Sequence, residues 1–372
     1  MQSLAQSWLV LEMSGKPFYL GLDSFLGQIP IFLFSLVGGV VADRFDRRNV
    51  LVGSQVVQMT CALLLALLFA TGVVQIWHIL TLSFVVGTAQ AFGGPAYQAL
   101  IPTLVKSEDL PNAIAMNSIQ FNLARIVGPV LGGLAFTKLG PSWCFSLNGL
   151  SFVAVIVTLL MVQPTFKPSS TTVPMLESMK QGISFIRAKG GMGQLIVIAF
   201  LMTMLGLPIM VFLPVFARDV FHLGPDGFRT MLVASGSGSI FGALLVATFQ
   251  QGRKKGQAAV IGLLLLGVFV MVFSFSRYLP LSLLALFLSG SMLMVAFAMI
   301  SSLVQLICTD EMRGRVMSVY NVAFRGGMPF GSLICGYFAQ SFGAPIVLAV
   351  SGTLVMIMAL YLLFVQKKVY EL

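Results

Sequence analysis

The stretch GGVVADRFDRRNVL, residues 38–51, decides how this chain is read. Before it runs an apolar segment from Phe18 to Ala42 that holds one acid, Asp23. After it runs another, Val50 to Ala70, with no charge at all. About 20 apolar residues suffice to cross roughly 30 Å of hydrocarbon, so both segments are long enough to span a bilayer. Five charges in the six residues 43–48, wedged between two such runs, make a tight turn at one membrane face.

The rest of the chain repeats that plan. Of its 372 residues 58% are apolar and 9% charged, where soluble domains carry about 25% charged residues. In lipid only helices or closed barrels satisfy the backbone. A barrel would alternate in polarity over stretches of roughly ten residues, whereas the runs here are unbroken and longer. The predicted class is therefore an all-α integral membrane protein. A net charge of +10 would point to nucleic acid in a soluble chain, but here the basic residues sit in the loops. With the 43–48 loop placed in the cytoplasm, fifteen of the 22 Lys and Arg fall on that side and five on the other; Arg125 and Arg325 stay within spans. A cytoplasmic excess of Lys and Arg is the orienting rule, and it also puts the C-terminus in the cytoplasm.

Residues 1–12 are apolar but too short to span, and read as the last turns of a first helix whose beginning is absent. Spans follow at about 18–42, 50–70, 76–98, 113–136 and 143–162. Residues 164–191 form a linker rich in Pro, Ser and Thr. Within it Met175, Leu176, Met179, Ile183 and Ile186 recur at helical spacing, which predicts an amphipathic helix along the membrane surface. Six further spans fill 192–372, so the expectation is two six-helix halves, 1–163 and 192–372, with eleven full spans and a fragment. The halves share detail. Arg125-Ile-Val-Gly-Pro129 recurs as Arg325-Gly-Gly-Met-Pro329, and Ser35-Leu-Val-Gly38 as Ser239-Ile-Phe-Gly242. Such parallel repeats mark transporter folds that bind substrate near the midplane, between the halves.

The 43–48 loop is similar to the signature that joins the second and third helices of the major facilitator superfamily, commonly G-x-L-A-D-R-x-G-R-K/R. Gly39, Asp43, Arg44, Arg47 and Arg48 match it, and Asp46 stands where a second glycine is usual. With the opening Trp8-Leu-Val-Leu-Glu12, this variant resembles the branch that contains macrolide-efflux and enterobactin-exporter proteins. Gly128, Pro129, Gly132 and Gly133 match the exporter motif of the fifth helix. The fourth helix departs from the proton-coupled pattern: Gln90 is present, but 80–98 holds no Arg. The resemblance implies a monomeric transporter of the bacterial cytoplasmic membrane that exports small amphipathic compounds by alternating access, with a proton gradient as drive. It also implies that Asp43 pairs with neighbouring helix ends in one access state and releases them in the other. An importer or lipid flippase of the same fold is the alternative, as is a shortened chain that inserts without transporting.

Asp23, Arg125 and Arg325 are the ionisable residues within apolar spans. Such residues usually face a cavity or a partner, and with Gln90 and Asn122 they are the candidate cavity or coupling residues. Two arginines against one acid suit an anionic or polar-acidic substrate. Asp23 also lies close enough to the outer end of its span to be wet there. The cysteines, Cys61, Cys144, Cys308 and Cys335, have no metal spacing, and His78 and His222 lie in distant loops, so no cofactor or metal is implied. No nucleophile–base pair points to an enzyme. The glycine-rich 235–242 lacks the Lys of a phosphate loop, which leaves an ion gradient or a partner as the source of energy.

Overall fold

A computed structural model describes residues 2–106, 108–162, 175–249 and 255–364. The Pro- and Ser-rich part of the linker, the basic residues Arg253 and Lys254, and the tail lie outside these residues. All regular structure among the described residues is helical. In chain order the helices are α1 (Gln2–Ser14), α2 (Pro17–Arg44), α3 (Arg47–Ala70), α4 (Ile76–Leu100), α5 (Leu110–Leu139), α6 (Pro141–Met161), α7 (Met175–Ala188), α8 (Met192–Gly206), α9 (Pro208–Val215), α10 (Pro225–Phe249), α11 (Lys255–Phe275), α12 (Leu279–Ile307), α13 (Asp310–Phe342) and α14 (Ala344–Phe364).

Among the described residues ten helical segments are long and apolar enough to cross a membrane. One of them, Met192–Val220, joins α8, α9 and a π-helical turn, Phe216–Val220. Pro208 brings no N–H to that span, and the helix is interrupted there. α13 is long enough, at 33 residues, but Asn321 and Arg325 and the charges of its first turns make it the most polar of the long helices. The turns follow the glycines. Gly140 ends α5 at φ 90° and Gly343 ends α13 at φ 81°, a backbone that side chains with a Cβ rarely adopt.

Two compact units emerge: residues 1–15 with 22–172, and residues 16–21 with 173–372. In the first, Gly38 of α2 lies against the backbone of Ala91 in α4, and Gly87 of α4 against Gly27. In the second, Gly242 of α10 lies against Ser291 of α12, Gly290 against the carbonyl of Ser235, and the Ser291 hydroxyl donates to the carbonyl of Gly238 at 2.8 Å. Gly38 and Gly242 therefore do the same work in each unit, seating its second spanning helix on its fourth. The third and sixth are paired likewise, through Gly149 on Leu63 in one unit and Gly267 on Gly352 in the other. Lipid tails give no hydrophobic drive between helices, so close backbone approach at small residues carries the association.

Two contacts were not anticipated in the sequence. Residues 16–21, Lys16 and the start of α2, group with the second unit, where Gly21 lies on the backbone of Ser332 and Gly336. α7 packs on α13. Gly182 sits against the Arg315 backbone and Val319, and Ile186 is buried. Of the apolar positions with described side chains, Ile186 is buried, Met179 half-buried and Ile183 exposed. A pattern within one helix does not say which surface covers it.

Candidate functional site

The charged hairpin is built on backbone carbonyls. The Arg47 guanidinium donates through Nε to the carbonyl of Ala42 at 3.2 Å and through Nη1 to that of Ala99 at 3.0 Å. Arg48 donates through Nη1 to the carbonyl of Val162 at 2.9 Å. These acceptors lie at the C-terminal ends of α2, α4 and α6, where carbonyls lack an intrahelical partner and carry partial negative charge. Two arginines thus tie three helix ends together within the first unit. Asp46 caps α3, its carboxylate accepting from the Arg48 backbone N–H at 2.9 Å, which explains the acid at the usual glycine position of the signature. Asp43 sits 3.7 Å from Arg47 and its side chain is half exposed. Arg44 is exposed, and nothing lies within 4 Å of where a Cβ on Gly39 would be.

At the opposite end of the first unit, Asp23 is held by side chains from two other helices. Gln6 of α1 donates through Nε2 to both carboxylate oxygens at 2.9 Å. The Ser83 hydroxyl of α4 donates to Oδ1. Gln6 Nε2 also lies 2.8 Å from Ser83 Oγ, and Ser83 Oγ lies 2.9 Å from the carbonyl of Ile79. The network extends further, because Gln2 Nε2 donates to Gln6 Oε1 at 3.4 Å and Asn148 Nδ2 of α6 donates to Gln2 Oε1 at 2.6 Å. A continuous polar chain therefore crosses α6, α1, α2 and α4. Among the described residues Asp23 forms no ion pair. Sequence reasoning found Asp23. It missed Gln2, Gln6 and Ser83, because glutamine and serine in a short apolar stretch carry no charge signal.

A second polar network joins α3 and α4. Gln90 Nε2 donates to Gln58 Oε1 at 3.2 Å, Gln58 Nε2 reaches Ser54 Oγ at 3.2 Å, and Ser54 Oγ donates to the carbonyl of Ala89 at 2.7 Å. Gln90 is therefore tied across two helices, with Gln58 and Ser54 as partners that the sequence did not single out. Arg125 and Asn122 lie on α5, but their side chains are outside the described residues. In the exporter motif α5 continues through Pro129, Gly132 and Gly133 are buried, and the Gly132 carbonyl accepts from the Cys144 thiol of α6 at 3.3 Å. Gly128 is part of the same turn and is half-buried.

In the second unit, Ser318, Asn321 and Arg325 are all exposed on α13. Their spacing of three and four puts them on one stripe of the helix. Gly327 and Gly331, on another face, press on Phe200, Thr203 and Met204 of α8. Arg325 lies about 22 Å along α13 from Asp310, near the middle of the helix. A guanidinium at that depth turns toward water or a partner rather than lipid.

A model of the transmembrane secretion effector family matches residues 1–371. The macrolide efflux protein A of Streptococcus pyogenes is 23% identical over 365 residues, covering 96% of this chain and 89% of that protein. The staphyloferrin A transporter of Staphylococcus aureus is 23% identical over 367 residues, covering 97% and 91%. The enterobactin exporter EntS of Escherichia coli O1:K1 / APEC is 23% identical over 330 residues, covering 87% and 77%. Among solved structures, a POT family transporter in complex with 5-aminolevulinic acid superposes with a TM-score of 0.77 at 12% identity, covering 99% of this chain and 93% of that one. The nucleoside transporter NupG superposes at 0.74 with 13% identity, covering 97% and 96%. The fold is that of the major facilitator transporters.

Proposed function

Because the chain belongs to the transmembrane secretion effector family, we propose that it exports small amphipathic compounds from a bacterial cell by alternating access, driven by a proton gradient. The observation that carries this reading is the length of the match: residues 1–371 fit the family, and relatives named for macrolide, multidrug and enterobactin efflux align with most of the chain. The charged hairpin then faces the cytoplasm, where the bias of Lys and Arg puts it. Asp43, half exposed and only loosely held by Arg47, is free to exchange partners between access states. The stripe Ser318, Asn321 and Arg325 supplies polar groups and one positive charge for a substrate with a polar or acidic group.

The test is accumulation in cells deprived of their own exporters, with a macrolide and a catecholate siderophore as probes and with and without an uncoupler. Expression of the chain is expected to lower accumulation of at least one probe, and the uncoupler to restore it. Unchanged accumulation of both would overturn the exporter reading, and efflux that ignores the uncoupler would overturn the proton drive. Arg325→Gln is expected to raise the apparent KM for the siderophore more than for the macrolide. Equal effects on both would remove Arg325 from substrate recognition.

A further inference from the structure

We propose that Asp23 is the group that takes up and releases the transported proton, and that Ser83 is the hydrogen-bond switch that accommodates it in both forms. The proposal rests on the transport reading above.

A carboxylate within an apolar span must find a cation, a full set of donors or a proton. Asp23 lies six residues past Pro17 and so about 9 Å along α2. Two neighbouring helices direct neutral groups at it, Gln6 from α1 and Ser83 from α4. The charged and titratable residues of the elements around it stand apart. Glu12 and Lys16 are exposed at the turn that joins α1 to α2. His78 of α4 accepts the Gln75 backbone N–H at 3.0 Å and its ring lies on Trp77. Tyr97 bonds Asn117 at the far end of α4. On α5, Arg125 lies fourteen residues from Leu139, about 21 Å along the helix from that end. Among the described residues, neutral donors are all that Asp23 has.

The positions of Ser83 and Gln6 suit both forms of the acid. With the carboxylate, the Ser83 hydroxyl donates to Oδ1 and the Gln6 amide donates to the carboxylate oxygens. When a proton arrives from water, the carboxylate becomes a carboxylic acid and no other bond is made or broken. The new O–H then donates to Ser83 Oγ. The single hydrogen of Ser83 rotates to the carbonyl of Ile79, already 2.9 Å away, and Gln6 keeps one N–H on the remaining oxygen. The switch is one hydroxyl rotation, with no heavy atom moved. Ser83 and Gln6 are positioning residues; Asp23 carries the proton.

The purified protein is titrated by infrared difference spectroscopy, which reads the carbonyl band of a protonated carboxyl group whether or not a substrate is known. Asp23→Asn is expected to remove one titrating band. Ser83→Ala is expected to move the midpoint of that band by about one pH unit, the scale of one hydrogen bond to a charged group, and Ser83→Thr to restore it. In everted vesicles with a radiolabelled macrolide as probe, Asp23→Asn is expected to bring pH-gradient-driven uptake down to that of vesicles without the protein, at unchanged membrane abundance. A band that survives Asp23→Asn, or a midpoint indifferent to Ser83→Ala, overturns the proposal even if transport is robust. If the wild-type vesicles take up no macrolide, that result counts against the proposed export and leaves the infrared titration to decide on Asp23. Should Asp23→Asn fail to reach the membrane, the Ser83 pair alone decides.

Discussion

Arg47 directs its guanidinium at two helix ends and at Asp43, and these contacts differ in weight. Hydrogen bonds from a charged donor contribute about 1.5–3 kcal/mol, whereas an ion pair as open as that with Asp43 contributes about 0–1 kcal/mol. Arg47→Ala is expected to destabilise the first unit by roughly 2 kcal/mol, read as a lower thermal unfolding midpoint in detergent. Arg47→Lys should recover only part of it, since a point donor cannot replace the planar fork. Asp43→Asn should barely move that midpoint yet impair efflux. A variant that transports normally would strip Asp43 of any part in the access change. The loop as a charged turn between two helices was legible in the sequence, because five charges between two apolar runs leave few other readings. Its partners were not, since they are the backbone carbonyls of Ala42, Ala99 and Val162, and every residue has a carbonyl.

Helices here meet through glycine, and the structure separates glycines that matter from those that do not. A Cβ on Gly331 would overlap the backbone of Met204, and one on Gly238 that of Phe287. Gly331→Leu and Gly238→Leu are therefore expected to force α13 off α8 and α10 off α12, and to lower the amount of protein in the membrane several-fold. At Gly94 nothing lies within 4 Å of an added Cβ, and Gly94→Ala should be neutral or stabilise α4 by up to about 1 kcal/mol. Quantitative immunoblotting of membrane fractions compares them. The spans, turns and paired repeats could be read from the sequence because apolar length and Gly-Pro turns are local properties. The seating of α7 on α13, and the meeting of Gln6, Asp23 and Ser83, could not. Both depend on which helices become neighbours, and apolar runs of similar character do not specify that.

At the scale of the whole molecule, the orientation can be tested directly. Single cysteines at Phe45 in the hairpin and at Gly140 in the α5–α6 turn, in a background lacking the four native cysteines, are expected to react with an impermeant maleimide from opposite faces. Phe45 should be reached only in everted vesicles. Labelling of both from the same face would break the alternation of spans on which the fold depends. The arginine contacts with Ala99 and Val162 also have a consequence for how the sequence can drift. Main-chain oxygens survive any substitution, so no compensating change at 99 or 162 is required when those side chains alter. A deep mutational scan should find 47 and 48 intolerant while these two half-buried acceptor positions accept other apolar residues freely. The bracing of this bundle would then persist through divergence that erases most of its pairwise side-chain contacts.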